Sequence, residues 1–407
     1  MSKFKQVQFI GYAVSTKPAF CATENSVDAG NRKHYLGDAQ NERDIAARIN
    51  LLAKVVAQAQ TAFAQSRDVL KIFVIPEFFF RGAYGAYNGK NMEELLKNEL
   101  KNLLAQHGPD INMAVWGSTL LTEQPVDLNN AKIKDTYALG DEYLHIYEAC
   151  RDFRTLAGKE TPSVRDILFY LDELEDPATR AKEPELDPLA AVMEQMLRGC
   201  DRSAPLTVSN KCLILLDGAR CLTVQKQFKS CVDFVLNYYH DKSQTTRNAD
   251  CYLQTFVNYP PIAPTTTESK EHDQDQYSTF TWENLKVGVE ICLDHIRKRL
   301  SKLENNLDLH IIPSCGAEVT PGCIAAKAGG YVFNCDGDYT LPDAQNGDDA
   351  HTQLYRVEKA GDPATGAEAV LGKRIAPAQV TALKYDGIER LFPKGAGELH
   401  VYAPLDI

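Results

Sequence analysis

The sequence predicts an α/β layered fold built on a mixed sheet. Short apolar runs rich in β-branched residues alternate with amphipathic helical stretches, an Asp-Gly pair joins two strands as a hairpin, and 407 residues suffice to bury a large core. An opening strand includes Val7-Gln8-Phe9-Ile10. Asn41 to Phe63 follows as a long helix: Glu42 and Asp44 favour its first turn, and Ile45, Ile49, Leu52, Val56 and Phe63 share one face. Val69 to Ile75 reads as a buried strand stopped by Pro76. A helix over Asn91 to Leu104 and a strand over Ile111 to Gly117 complete the first third.

Further along, Lys211 to Leu216 and Arg220 to Val224 flank Asp217-Gly218, a strong short-range hairpin signal. Strands are expected over Lys286 to Ile291, Leu309 to Ile312 and Tyr331 to Phe333, with helices over Ile296 to Leu303 and Cys323 to Ala328. Two regions break the rhythm. From 130 to 205 the chain turns charged and helical, with helix starts at Pro162 and Pro188, and reads as a helical insertion or cap. From 240 to 277 it is polar and turn-rich, with Pro260-Pro261 and Thr265-Thr266-Thr267, and reads as a long loop. Both are expected to sit inside a single domain spanning 1–407.

A formal net charge of −11 argues against a nucleic-acid surface, which needs clustered Lys and Arg. The amino terminus lacks a long apolar segment and no apolar run approaches the roughly 18 residues of a membrane span, so a cytoplasmic protein with no membrane partner is expected. The eleven cysteines include no Cys-x-x-Cys pair, and the nine histidines show no metal-ligand spacing. No metal, cofactor or disulfide framework is expected.

Three short segments stand out chemically. Ile75-Pro76-Glu77-Phe78-Phe79 ends an apolar run with a carboxylate, Val224-Gln225-Lys226 ends one with an ammonium, and Ile291-Cys292-Leu293-Asp294 ends one with a thiol. A base, an oxyanion clamp and a nucleophile are what a cysteine amide hydrolase requires. Taken singly, Glu77 suits a turn, Lys226 a solvated surface and Cys292 a core; their joint occurrence is what points to chemistry.

The stretch Pro76-Glu77-Phe78-Phe79-Phe80-Arg81-Gly82-Ala83-Tyr84 resembles the P-E-x-x-x-x-G-Y segment that carries the general base in the nitrilase, or carbon–nitrogen hydrolase, superfamily. The hairpin from Asn210 to Lys226 resembles the strands leading to that family's lysine, and Gly288-Val289-Glu290-Ile291-Cys292-Leu293-Asp294 resembles its nucleophile segment. Ile311 to Ser314 and Ala325 to Gly337, with Asn334, are similar to the elements that follow. The resemblance implies a four-layer α-β-β-α sandwich, a Glu77–Lys226–Cys292 triad, a thioester intermediate, a small-molecule amide substrate and a homo-oligomer. Lys226 and the backbone N–H of Leu293 would hold the oxyanion.

Some positions depart from that pattern. Val224-Gln225 stands where an aromatic and a basic residue precede the lysine, Lys229 lies close enough to compete with Lys226, and Phe228 to Asn237 holds Asp233 but no second glutamate. Phe79, Tyr84 and Glu290 are candidate pocket residues, and the resemblance alone adds Trp116, Ser314 and Glu318. Glu290 alternates with Cys292 along the strand, which would aim both at the pocket, or it is a buried, paired charge. Leu293-Asp294 in place of Trp-Glu favours the amidase branch over true nitrilases. Acyl transfer to an amine, a catalytically silent binding module and a Cys–His pair using His295 are the competing readings.

Overall fold

The computed structural model describes residues 3–17, 36–38, 40–83, 86–87, 91–125, 137–138, 206–226, 254–257, 278–302, 305–338, 352–362 and 364–407. The first half contains β1 (Gln6–Ala13), α1 (Asn41–Gln60), β2 (Val69–Ile75), α2 (Met92–His107), β3 (Met113–Pro125), β4 (Tyr137–Ala138), β5 (Leu206–Leu216) and β6 (Arg220–Gln225). The second contains β7 (Gln254–Val257), β8 (Thr279–Trp282), β9 (Leu285–Val289), α3 (Leu293–Ile296), β10 (Leu307–Ser314) and β11 (Ala326–Asp336). The chain closes with β12 (Thr352–Lys359), β13 (Val370–Leu371), β14 (Gln379–Ala382), β15 (Glu398–Val401) and β16 (Leu405–Asp406).

These strands form two mixed sheets. The first runs β14-β15-β1-β2-β3-β5-β7-β4, with β6 beside β5 and β16 beside β1; the second runs β13-β12-β11-β10-β9-β8. β1, β2 and β3 are mutually parallel, as are β9, β10 and β11. Alternation along each strand assigns its two faces. Phe9, Leu70, Ile72, Val74, Met113 and Val115 of the first sheet pack with Val287, Val289, Ile311, Phe333 and Leu354 of the second in one core. The opposite face of the first sheet, with Ile10, Phe73, Ile75 and Ala114, packs against α1 and α2 through Ile45, Leu52, Val56, Leu96 and Leu100.

Several expectations shift. Among the described residues, the helical elements between β9 and β11 are α3 and a short 3-10 turn over Pro321–Cys323, and the outer helix layer expected on the second sheet is not seen among them. The helix expected to Leu303 stops at Ile296 because Lys298 takes a left-handed φ of 60°. The helix expected over Cys323 to Ala328 is replaced by β11, whose Ala326 pairs with Leu307 and whose Gly329, at φ 84°, absorbs the register shift between Leu307 and Leu309. The 130–205 insertion is described only at Tyr137–Ala138, and the 240–277 loop only at Gln254–Val257, which pairs with β5 as a strand; their remaining residues, and the expected helical cap, lie outside the described residues. No helix among the described residues is long and apolar enough to cross a membrane.

The parallel strands end together, and one glycine permits their closest approach. A Cβ on Gly117, at the register shift between Trp116 and Ser118 in β3, would lie 1.8 Å from the Pro76 carbonyl oxygen. Backbone cannot yield as a flexible side chain does. Gly117→Ala is therefore expected to cost about 3 kcal/mol in urea unfolding, at the upper end for overpacking; an unchanged midpoint would contradict this packing.

Candidate active site

The carboxyl end of β10 holds two segments side by side. Glu77 N–H donates to the Ser314 carbonyl at 3.2 Å, and Cys292 N–H donates to the Pro313 carbonyl at 3.1 Å. Consecutive carbonyls of one strand thus suspend the peptide after β2 and the peptide after β9. Phe78 N–H donates to Ser118 Oγ at 3.1 Å, which pins the same turn to the end of β3.

Backbone conformation then aims the side chains. Phe78 has φ 60°, and its ring lies 5.7 Å from Lys226 Nζ and 5.2 Å from Arg81 Cζ. Cys292 has φ 46° and ψ −105°, a combination that costs a non-glycine residue roughly 1–3 kcal/mol. That kink breaks the strand's alternation: Ile291 and Cys292 both face the core between the sheets, where strict alternation would have separated them.

Lys226 follows β6 directly. Its N–H donates to the Asn210 carbonyl at 2.8 Å, continuing the hairpin ladder, and its Nζ lies 2.9 Å from Glu77 Oε1. Asn210 Nδ2 donates to the same oxygen at 2.9 Å. Glu77 and Lys226 are both fully buried, so each charge depends on its partners for what water would otherwise supply. Burial pushes the Cys292 thiol well up, the Glu77 charge pushes it further, and the Lys226 charge opposes both. The Cys292 Sγ points at the Cys315 carbonyl at 3.8 Å.

The remaining candidates separate from this cluster. Phe79 and Trp116 are enclosed in the helix-side core, Phe79 against Tyr12, Phe80 and Phe392 and Trp116 against Phe73. Their strand and turn positions direct them to the face opposite Cys292. Ser314 contributes its backbone carbonyl, while its hydroxyl lies 2.8 Å from Asn334 Oδ1 and 3.0 Å from Asp336 Oδ1 at the carboxyl ends of β10 and β11. Leu293 opens α3, where a first-turn N–H has no acceptor within the helix. Tyr84 and Lys229 lie outside the described residues.

Glu290 turns to the opposite face of the second sheet. Its Oε1 lies 2.8 Å from His295 Nδ1 and 2.9 Å from His310 Nε2, and its Oε2 accepts the Leu300 N–H at 3.0 Å. These three side chains have ligand atoms within 4.8 Å of one another, as a metal site would. Their outer contacts argue against one. Thr320 N–H points at His295 Nε2 at 3.2 Å and Ala325 N–H at His310 Nδ1 at 3.3 Å, so those nitrogens carry lone pairs. A metal on the inner nitrogens would require protons on the outer ones, facing other protons. With both ring nitrogens engaged, His295 is committed to this network and not to Cys292.

The contact of Asn210 with Glu77 and the backbone turn at Phe78 are site features that the sequence reading did not single out. The hairpin register holds the signal for the first: Leu216 pairs with Arg220 and Lys211 with Gln225, so Asn210 stands opposite Lys226. Nothing in the residue order marks the left-handed turn at Phe78.

Two stability measurements follow. Lys226→Met leaves a buried carboxylate without its cation and is expected to cost about 3–5 kcal/mol in urea, part of which Glu77→Gln restores in the double variant; fully additive costs would contradict a shared buried pair. Burial lowers the His295 pKa below its ordinary 6.5, although Glu290 opposes this. The unfolded state therefore takes up a proton that the folded state resists, and stability falls as pH drops through 6.5. Burial works against ionised Glu290, but hydrogen bonds from His295 and His310 hold its pKa at about 2, so its contribution is present above 4.5 and is lost as pH falls from there through about 2. His295→Asn is expected to flatten the pH dependence of the urea midpoint between about pH 7 and 5; an unchanged slope would contradict the assignment.

No family model matches the chain, and no curated protein matches it. Similar solved structures include an amidase from Nesterenkonia sp., 10% identical over 92% of this chain and 88% of that one, with a TM-score of 0.33. A mutant of the Nesterenkonia AN1 amidase from the nitrilase superfamily is 9% identical over 92% and 88%, also at 0.33. A third, from the same source, carries the result of Michael addition of acrylamide at its active-site cysteine and is 9% identical over 91% and 90%, again at 0.33. The chain is similar to these amidases along nearly all its length, at a distance that leaves the chemistry of the site to its own geometry.

Proposed function

We propose that the protein is a cysteine-dependent amidase of the nitrilase type, which cleaves a non-peptide carbon–nitrogen bond through a thioester on Cys292. The observation that carries this reading is the strained Cys292, turned into the core between the sheets, with Glu77 of the buried Glu77–Lys226 pair anchored on the neighbouring residue of β10. A neutral thiol in such surroundings needs a base at hand, because only the thiolate attacks.

Glu77 takes the Sγ proton as the sulfur bonds to the amide carbon. The carbonyl electrons move to oxygen, where Lys226 Nζ and the Leu293 N–H stabilise the charge. When the tetrahedral adduct collapses, the carbon–nitrogen bond breaks and the leaving amine takes the proton from Glu77. Glu77 then removes a proton from water, which attacks the thioester; the acid departs and the thiol is reprotonated. Asn210 holds Glu77 Oε1 in place throughout. Leu293-Asp294 after the nucleophile supports amides over nitriles as substrates.

Ammonia released from a panel of short linear amides and their matched nitriles tests this. The wild type is expected to act on amides, with Cys292→Ala and Glu77→Gln each lowering the rate by at least about 10³. Release from nitriles alone, or activity that survives Cys292→Ala, would sink the reading.

A further inference from the structure

Arg299 bridges the two sheets beside the site. Its Nη1 donates to Asp294 Oδ2 at 2.7 Å and to the Gln225 carbonyl at 2.8 Å. Asp294 lies in α3, which begins where the Cys292 kink ends, and Gln225 is the last residue of β6, directly before Lys226. The guanidinium and the carboxylate are 4% and 0% exposed, so the ion pair is held in a fixed geometry away from water. An ion pair serving α3 alone would be complete at Asp294. The second bond reaches another sheet, and it ends one residue from the lysine.

We propose that Arg299 is a positioning residue that sets Lys226 against Cys292 by tying the turn of the nucleophile to the strand of the lysine. The inference rests on the reading that Lys226 and Cys292 share one catalytic site. The covalent paths from Arg299 to both groups are short: Asp294 is two residues from Cys292 and Gln225 is one from Lys226. The carbonyls of β10 hold Glu77 and Cys292, and Glu77 holds the Lys226 ammonium; the Arg299 contact adds a charged, two-ended tie between the end of β6 and the turn of Cys292. Losing it would loosen the end of β6 against that turn, and small misplacements of a catalytic group cost rate steeply.

The test needs no substrate: iodoacetamide alkylation of Cys292 in the full chain, followed against pH by site-resolved mass spectrometry. Lys226→Met is expected to move the Cys292 profile to higher pH, because the cation that favours the thiolate is gone. Arg299→Gln should move it the same way and slow alkylation about tenfold near neutrality, the effect of one pKa unit. The double variant should be no slower than the slower single variant, since a displaced Lys226 has little left to lose. Arg299→Lys, which keeps the charge on a shorter side chain without the planar guanidinium that places Nη1 between both acceptors, should fall between wild type and Arg299→Gln.

A wild-type profile in Arg299→Gln, or shifts that add fully with Lys226→Met, would overturn the positioning role while leaving the proposed function standing. If Arg299→Gln fails to fold by circular dichroism, Arg299→Lys carries the same cycle: a shift that does not add supports the role, and no shift or full additivity overturns it. Should Lys226→Met itself leave Cys292 unchanged, the shared site fails and this inference fails with it.

Discussion

The site depends on the end of one strand. β10 presents the Pro313 and Ser314 carbonyls in succession, one accepting from Cys292 and the other from Glu77. Glu77 and Cys292, which come from different sheets, are thereby anchored to neighbouring residues at the end of one strand. The arrangement requires the ends of β1, β2 and β3 to come close to it. Gly117 and Gly337 allow this, since a Cβ at either would lie 1.8 Å from Pro76 O or Thr16 Oγ1.

Polar groups buried at the edge of an apolar core must find partners within the fold. Lys226 and Asn210 both contact Glu77 Oε1, Asp294 faces Arg299, and Glu290 faces two histidines and a backbone N–H. The three networks divide by face. The first borders the core between the sheets, the second spans from one sheet to the other, and the third braces the outer surface beneath α3. The backbone strain at Cys292 sits among them, where surrounding hydrogen bonds can hold a conformation that the residue alone would leave.

Much of this was legible in the residue order because it follows from period and turn chemistry. The apolar runs around Val74, Val224 and Val289 mark strands, Asp217-Gly218 marks the hairpin, and Glu77, Lys226 and Cys292 each stand just beyond a strand end. What was missed depends on single dihedral angles and on contacts distant in sequence. Left-handed conformations at Phe78, Cys292 and Lys298 carry no residue-type signature, since none of the three is glycine or asparagine. The kink at Cys292 invalidated the alternation that would have aimed Glu290 at the pocket, and Lys298 ended a helix that the apolar spacing extends. Phe79 was drawn to the site by its place after Glu77 and Trp116 by resemblance, yet the face they occupy belongs to the helix-side core. Arg299 belongs to no motif, and its carbonyl acceptor on β6 lies far from it in sequence.

The central claim is that the buried Glu77–Lys226 pair and Cys292 form one reaction centre. A crystal structure of the protein after a single alkylation with iodoacetamide tests it most directly, because the adduct places an amide carbonyl near the position of a substrate. The account expects the adduct on Cys292 Sγ, with its oxygen about 2.7–3.1 Å from Lys226 Nζ and from the Leu293 N–H. An adduct on another cysteine, or one on Cys292 whose oxygen points away from Lys226, would contradict it.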